Sequence, residues 1–176
     1  MPTIKNKTLI SLTKLFKISN LDIEFKENIT REYEVISGTG NGAVMIIPIT
    51  QNTMFFIKEY AAAIDAYALT FPKGGIDKGE SILEAANREL QEEIGYKSSS
   101  LEHIHTINLA PGYIDHKTHI VLAKNLSPSK LCGDEPEDLE IIEVPFDNID
   151  NYLSNNAHID SRVLASLYVY GNLAKG

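Results

Sequence analysis

Three glutamates near the end of one predicted helix could hold a metal ion. Residues 80–94 contain no Gly or Pro, and Gly95 follows where a glycine commonly ends a helix, so we predict a helix over this range. On it, Glu89, Glu92 and Glu93 would fall within an arc of about 100°. Neighbouring carboxylates repel one another, and negative charge is unfavourable near a helix C-terminus. A hard divalent cation such as Mg²⁺, which prefers oxygen ligands, would offset this repulsion.

The same residues also fit a solvated acidic helix face that binds nothing. Glutamate is a good helix former, and acidic faces are common on surface helices. Arg88 precedes the first of the three glutamates and could orient a neighbouring carboxylate. The helix by itself leaves both interpretations open.

The other side of this helix is apolar and should pack against a sheet. Leu83, Ala86, Leu90 and Ile94 recur along it at helical spacing. The carboxylates would then lie beside the buried side, and residues 71–79 would form the loop that leads into the helix.

Most of the elements that must position this helix are strands. The stretches with strand-like composition and loose alternation are residues 8–16, 18–25, 29–36, 43–50, 53–59, 101–109, 118–123 and 139–144. Turns are expected at residues 19–20 and 27–28, and a hairpin turn at residues 51–52. Residues 127–138, rich in Pro, Gly and acidic side chains, should form a loop.

Two further helices complete an α/β pattern. Residues 146–153 should form a short helix, and Asp160 can cap the start of a last helix that runs to about Tyr170, with Gly171 as its stop. The glycine-rich residues 38–42 precede a strand rather than a helix, so we interpret them as a linker and not as a phosphate loop. Together the elements predict a mixed sheet with helices on its faces.

Residues 1–40 form a β segment with too little apolar area to fold alone. We expect this antiparallel meander to pack on residues 41–176, the main domain, or on a second copy of the chain.

The composition excludes several classes of partner. The formal net charge of −8 argues against a broad grip on nucleic acid or on an anionic membrane. Cys132 is the only cysteine, so no intramolecular disulfide can form. Residues 1–7 lack the apolar stretch of a secretory signal, and no apolar run approaches the ~20 residues that span a bilayer. We therefore expect a cytoplasmic protein.

A longer pattern around the helix resembles the Nudix box. The pattern reads Gly74, five residues, Glu80, seven residues, Arg88-Glu89-Leu90, one residue, Glu92-Glu93, one residue, Gly95-Tyr96. Its order and spacing are complete, and only Tyr96 departs from the usual aliphatic residue. The resemblance implies the Nudix fold, an α/β/α sandwich around a mixed sheet. It also implies Mg²⁺- or Mn²⁺-dependent hydrolysis of a nucleoside diphosphate linked to another moiety.

The resemblance assigns metal ligands by motif position. Glu89, Glu92 and Glu93 would bind the metal, and the backbone carbonyl of Lys73 or Gly74 would be a further ligand.

It assigns supporting roles to other positions of the motif. Arg88 would orient the ligands for catalysis, and Glu80 would support the loop or the outer metal shell. Gly74, Gly79 and Gly95 would permit the close turns of the loop.

Segments within and outside the box are similar to the ADP-ribose pyrophosphatase branch, and most of all to its bacterial ADP compounds hydrolases. They are residues 58–60, 67–74, 76–77, 84–90, 109–113 and 133–137. Pro111, 15 positions after Tyr96, resembles the proline that marks ADP-ribose-type enzymes. Two positions depart from the branch, Ala68 where Glu is frequent and Lys73 where small residues are frequent. The implied reaction is hydrolysis of ADP-linked compounds such as ADP-ribose to release AMP.

Related enzymes take a general base from a loop beyond the box. Here the acidic loop and its edge offer Glu135, Glu137 and Glu140, of which Glu137 fits best by position. Glu93 is the second choice, and a solvated loop acid is the alternative for Glu137.

Several side chains are candidates to contact the substrate. Those that could stack on adenine, pair with phosphate or line the proline loop are Tyr33, Tyr60, Tyr67, Tyr113, Arg31, Pro111 and His116. Ordinary packing is the alternative for each. The meander of residues 1–40 resembles the segment that related enzymes exchange across a homodimer, so some of these groups would serve the neighbouring subunit.

Other functions remain open at this stage. The same chemistry could act on dinucleoside polyphosphates, NADH or other nucleotide sugars. A nucleotide-sensing module without turnover is the alternative of a different class, although a pure binder has no need of three clustered metal carboxylates.

Overall fold

Strands dominate the chain, as the sequence predicts. The computed structural model describes residues 1–38 and 40–173. Within them the strands are β1 Thr3–Leu12, β2 Phe16–Lys26, β3 Ile29–Gly38, β4 Ala43–Pro48, β5 Thr53–Ala61, β6 Ala66–Thr70, β7 Lys73–Gly75, β8 Tyr96–Ala110, β9 Ile114–Pro128 and β10 Glu140–Pro145. The helical elements are α1 Ile82–Glu89, a π-helical turn Leu90–Ile94, a 3₁₀ turn Phe146–Asn148, α2 Ile149–Ser154 and α3 Ser161–Leu173.

The strands form two sheets. The larger has seven strands in the order β1-β2-β3-β9-β4-β7, with β8 paired to β9. In it β4 runs parallel to β9, while β7 and β8 pair antiparallel with their neighbours. The smaller sheet, β10-β5-β6, is antiparallel. The predicted mixed sheet is therefore confirmed.

Helices cover both faces of the larger sheet. Side chains of β4 alternate between two buried clusters, so that Val44 joins one and Met45 the other. Ala86 of α1 lies in the first cluster and Val163 of α3 in the second. Since apolar area is removed from water on both faces, the sheet is held between helices. This confirms the predicted α/β/α sandwich.

The buried side of α1 differs from the prediction at its first turn. Leu90 is buried as expected, but Leu83 is 39% exposed, so its assignment to the buried side is wrong. Ile82 packs inward instead. Ile82 and Glu89 are seven residues apart, about two helical turns, so they lie on the same side. The inner side of the helix therefore passes through Glu89 and Glu93 themselves, which are 8% and 5% exposed.

Two predicted turns have different outcomes. Residues 19–20 lie inside β2, so the turn predicted there is wrong. The chain turns earlier, where Thr13 Oγ1 accepts the backbone N–H of Phe16 at 2.9 Å. The turn at residues 27–28 is confirmed, and Asn28 adopts a φ of 64° there.

The predicted hairpin of residues 43–59 is wrong. β4 lies in the larger sheet and β5 in the smaller one, and the chain between them forms an isolated bridge from Ile49, just after β4, to Met54. β5 instead pairs with β10 and β6, which are distant in sequence or unrecognised as strands.

Three local features complete the comparison with the sequence. The predicted loop 71–79 contains the short strand β7. Asp160 caps α3 as predicted, since its Oδ1 accepts the N–H of Arg162 at 2.9 Å. The helix does not stop at Gly171 but continues to Leu173, because one glycine in a helix costs only about 1 kcal/mol.

The N-terminal segment β1–β3 extends from the rest of the sheet. It joins β9 through two residue pairs, Ile36 with Ile114 and Ser37 with Asp115. Its exposed large apolar side chains include Ile4, Leu9, Ile10, Leu12, Phe16, Phe25 and Ile29. Such exposure along a strand edge is uncommon in a monomer. No helix in the described part of the chain is both long and apolar enough to cross a membrane.

Candidate active site

The helix that carries the three glutamates starts with a reciprocal cap. Ser81 Oγ accepts the N–H of Glu84 at 3.3 Å, and Glu84 Oε2 accepts the N–H of Ser81 at 2.9 Å. This capping box satisfies two N–H groups that would otherwise lack partners, and it fixes the start of the helix.

The helix changes its winding where the glutamates lie. A regular helix was expected to Ile94, but Leu90–Ile94 forms a π turn. Gly95 then ends the helix with a φ of 74°, as its predicted role requires. Such wider turns occur mostly as single insertions in helices, frequently at functional sites.

Arg88 binds the loop and the glutamates together. Its guanidinium donates to both carboxylate oxygens of Glu80 at 3.0 Å. It also donates to Glu89 Oε1 at 2.7 Å, Glu92 Oε2 at 3.0 Å and the carbonyl oxygen of Gly75 at 2.9 Å. The paired contact to Glu80 is the fork geometry that orients both groups most strongly.

Gly74 leaves room for the Glu89 carboxylate. A Cβ atom at position 74 would overlap all three atoms of that carboxylate. The neighbouring residue holds the next glutamate, because the backbone N–H of Lys73 donates to Glu93 Oε2 at 2.9 Å. The loop before the helix and the helix itself are therefore in direct contact at the glutamates.

The three glutamates retain acceptor atoms for a cation. Glu89 Oε2, Glu92 Oε1 and Glu93 Oε1 have no hydrogen-bond partner among residues 1–38 and 40–173. None of these three atoms is fully buried, since Thr118 Oγ1 is the one fully buried side-chain atom without a partner in that range. No three ligating side chains are already gathered at metal-binding distance in the described chain. The oxygen donors suit a hard divalent cation.

Burial raises the pKa of two of these carboxylates. It raises the pKa of Glu89 to about 7, although Arg88 opposes the shift. Burial also raises the pKa of Glu93 to about 8, against the charge and the N–H of Lys73. A bound divalent cation would favour the ionised forms of both groups.

Divalent cation binding should therefore tighten as the pH rises from about 6 to about 8.5, because the cation must displace protons from Glu89 and Glu93. Titration calorimetry in two buffers of different ionisation enthalpy should show release of about one proton or more per cation near pH 7.

In EDTA, the free energy of unfolding should fall over the same pH range, because carboxyls with raised folded-state pKa values stabilise the fold only while protonated. Glu93→Gln should release fewer protons, and affinity independent of pH would contradict the assignment.

An acidic loop, residues 129–139, lies against the π turn. Lys130 Nζ donates to the carbonyl of Glu92 at 2.6 Å, and the N–H of Leu131 donates to the carbonyl of Gln91 at 3.1 Å. Cations and N–H groups at a helix C-terminus satisfy its free carbonyls. The loop is thus anchored beside the glutamates.

The loop carries the predicted base and a second acid. Glu137 accepts the Tyr67 hydroxyl at 2.8 and 3.0 Å. Glu135 lines a cavity of about 430 Å³ together with Glu89 and Glu92. Burial and the charge of Glu59 raise the pKa of Glu135. Both loop acids lie at the site, but they differ in their neighbours.

Two predicted substrate contacts lie near the loop. The rings of Tyr60 and Tyr67 meet edge to face with centroids 5.7 Å apart. They line a cavity of about 330 Å³ with Glu59 and Glu137.

The structure does not bring the other predicted contacts to the glutamates within one chain. Arg31 donates to the carbonyl of Thr30, and Tyr33 packs beside Phe25 with ring centroids 6.0 Å apart, both in the N-terminal segment. Pro111 and Tyr113 lie in the exposed turn between β8 and β9.

His116 lines a separate cavity of about 530 Å³ between the N-terminal segment and the main domain. Burial and the charge of Arg162 lower the pKa of His116.

Gly79 lies in the turn before the helix and adopts a positive φ of 88°, a conformation that glycine permits.

Sequence reasoning missed one ion pair at the site. The ammonium of Lys73 pairs with the carboxylate of Glu59 on β5. The sequence identified Lys73 as a departure from related proteins. It could not predict Glu59 as its partner, because the strand that carries Glu59, β5, was assigned to the wrong hairpin.

Comparisons with known proteins agree with this arrangement. The profile of the NUDIX domain matches residues 40–167. The ADP compounds hydrolase NudE of Escherichia coli (strain K12) is 38% identical over 175 residues, covering 99% of this chain and 94% of that protein. The ADP-sugar pyrophosphatase of Mus musculus is 31% identical over 186 residues, covering 96% of this chain and 85% of that protein. A crystal structure of an ADP compounds hydrolase superposes with a TM-score of 0.89 at 37% identity, covering 99% of this chain and 95% of that one.

Proposed function

This chain belongs to the Nudix family, and on that premise we propose that it hydrolyses the pyrophosphate bond of ADP-linked compounds such as ADP-ribose and releases AMP. The relatives named for ADP compounds and ADP-sugars support the ADP moiety as the common part of the substrate. The resemblance seen in the sequence motif is confirmed at the level of the family and the fold.

One observation carries the proposal. Arg88 holds Glu89 and Glu92 through one oxygen each, and both residues line a cavity in which their second oxygens have no other partner in the described chain. Glu93 lines a neighbouring cavity together with Glu92. A solvated acidic face would leave these carboxylates exposed, yet Glu89 and Glu93 are both buried. Buried carboxylates are costly unless they are paired with a cation or coordinate a metal ion, and Arg88 pairs with Glu89 but donates nothing to Glu93.

Nudix hydrolases use divalent metal cations, and we assign Mg²⁺, with Mn²⁺ as a substitute, to Glu89, Glu92 and Glu93. The backbone carbonyl of Lys73 or Gly74 would complete the protein ligands. When bound, the cation neutralises phosphate charge and lowers the pKa of a coordinated water.

The chain's own residues have separate tasks in this scheme. Arg88 holds two ligands in place through its contacts to Glu89 and Glu92, and the N–H of Lys73 holds Glu93. Glu137 would take a proton from the attacking water at its carboxylate, which Tyr67 orients. AMP and a phosphorylated remainder then leave, the remainder being ribose 5-phosphate for ADP-ribose.

The function is tested by incubating the protein with ADP-ribose and Mg²⁺, with and without EDTA, and following AMP. AMP that forms only without EDTA supports the proposal. Cleavage of NADH or diadenosine polyphosphates with none of ADP-ribose would keep the chemistry and change the substrate. Tight ADP-ribose binding with no product from any of them would favour a sensing module.

Glu137→Gln is expected to lower kcat by about 10²–10⁴, because the amide cannot accept the proton. Tyr67→Phe removes only the hydroxyl that orients Glu137 and should lower kcat by about tenfold or less. Steady-state kinetics on ADP-ribose measure both. A loss below roughly threefold in Glu137→Gln, with a large loss in Glu135→Gln, would move the role to Glu135.

The remaining candidate contacts fit a homodimer. Arg31 and Tyr33 lie on the extended N-terminal segment, away from the glutamates of their own chain. We propose that this segment, residues 1–40, packs on a second copy and presents such groups to its partner's site. Tyr60 and Tyr67 would bind adenine from the same subunit, and Pro111, Tyr113 and His116 would line the path by which the substrate enters the site.

We also assign the protein to the cytoplasm, with no nucleic acid or membrane partner, on the basis of its net charge of −8 and its single cysteine.

Ile10→Asp should shift the protein from dimer to monomer, because it places a charge among the exposed apolar side chains of β1. Light scattering after size exclusion should give twice the mass of one chain for the wild type. Leu164→Asp is the matched control, a similarly exposed leucine on α3, and should remain dimeric. A wild type of single-chain mass would contradict the proposal.

A further inference from the structure

The guanidinium of Arg88 has no hydrogen left for a substrate. It carries five N–H donors, one on Nε and two on each Nη. They go to the two oxygens of Glu80, to Glu89, to Glu92 and to the carbonyl of Gly75. Any phosphate that enters the cavity beside these residues must therefore find its hydrogen bonds elsewhere.

Lys73 is the second cation in the wall of this cavity. Its side chain is 18% exposed, and its ammonium pairs with Glu59. An ammonium has three donors, and no other partner of Lys73 Nζ is found in the described chain. Two hydrogens thus remain for an anion, and Lys73 lines the cavity of about 430 Å³ together with Glu89, Glu92 and Glu135.

Lys73 lies next to the proposed metal ligands, both in the chain and through a hydrogen bond. Its own N–H donates to Glu93 at 2.9 Å, and Gly74 follows it directly in the chain. A substrate diphosphate that reaches the glutamates must therefore pass within the reach of one lysine side chain.

We infer that the ammonium of Lys73 binds the diphosphate of the substrate. This inference rests on the proposed function and adds a side-chain role to a residue otherwise considered only for its backbone. A diphosphate is anionic, and the other side chains of the cavity wall that carry charge, apart from Arg88, are acids. Charge-assisted hydrogen bonds from Lys73 would offset their repulsion.

A purely structural role is the competing explanation, in which Lys73 only neutralises Glu59. The two explanations differ in the effect of removing Glu59. If Lys73 serves Glu59, then Lys73→Met and Glu59→Gln should damage the enzyme alike. If Lys73 serves the diphosphate, Glu59→Gln leaves the ammonium in place and should raise KM less than Lys73→Met does.

The experiment is steady-state kinetics of AMP release from ADP-ribose for wild type, Lys73→Met, Lys73→Arg and Glu59→Gln. Lys73→Met should raise KM by about ten- to a hundredfold, with a smaller change in kcat. Lys73→Arg should recover most of the loss. Glu59→Gln, which alters the wall of the cavity at Tyr60 and Tyr67, should raise KM much less than Lys73→Met does. The metal concentration for half activation should not move, since the ligands are intact. Lys58→Met, which removes a half-buried lysine paired with Glu140, is the matched control.

The double variant Lys73→Met/Glu59→Gln guards against misfolding, because it leaves no unpaired half-buried carboxylate. It should unfold at the temperature of the wild type and still show the raised KM. An unchanged KM in Lys73→Met, or equal losses in Lys73→Met and Glu59→Gln, would overturn the inference and leave the proposed function standing. A wild type that cleaves no ADP-linked compound would overturn both.

Discussion

Glu93→Gln is expected to lower kcat/KM for ADP-ribose by about a thousandfold or more. The amide removes one of three clustered carboxylates that would hold the divalent cation, and its neutral oxygen is a poorer ligand. The fold should not suffer. Because burial raises the pKa of Glu93 to about 8, the charged side chain is costly above that pH, and the amide avoids the cost. In EDTA at pH 9, the variant should therefore unfold at the same temperature as the wild type or higher.

Glu84→Gln provides the comparison, since it makes the same chemical change on an exposed acid of the same helix. It should retain nearly full activity. An active Glu93→Gln enzyme would remove Glu93 from the set of metal ligands. A large loss of stability in Glu93→Gln would show instead that the side chain supports the fold.

Gly74→Ala should lower kcat/KM by about a hundredfold while the protein stays folded. The new methyl group would overlap the carboxylate of Glu89. That carboxylate is the end of a flexible side chain, so it can swing away, but it then loses Arg88 and its place in the site. The expected cost in stability is that of one charged hydrogen bond, about 1.5–3 kcal/mol. Thermal unfolding and kinetics on the same samples measure both effects.

Gly75→Ala is the control for this prediction. A Cβ atom at position 75 meets nothing within 4 Å, and the carbonyl that accepts from Arg88 is kept. A double-mutant cycle tests whether Gly74→Ala acts through Glu89: in a Glu89→Gln background, Gly74→Ala should lower kcat/KM little further. Full additivity of the two changes would mean that the methyl group acts elsewhere.

Local patterns in the sequence determined the chemistry of the site. The spacing of Glu89, Glu92 and Glu93 placed them within one turn, and Gly95 marked the end of the helix, because both depend on the short-range geometry of a helix. The resemblance to a known motif supplied the family and the sandwich fold. The roles of these residues remain proposals that the experiments above test.

Tertiary structure decided which faces are buried and which distant residues meet. Leu83 turned outward because the inner side of α1 runs through Glu89 and Glu93, a choice set by packing rather than by apolar periodicity. The ion pair of Lys73 with Glu59 and the hydrogen bond of Tyr67 with Glu137 join elements that are far apart in sequence or assigned to the wrong hairpin. Strand pairing between distant segments leaves no local periodicity, so the sequence could name the carboxylates but not the groups that surround them.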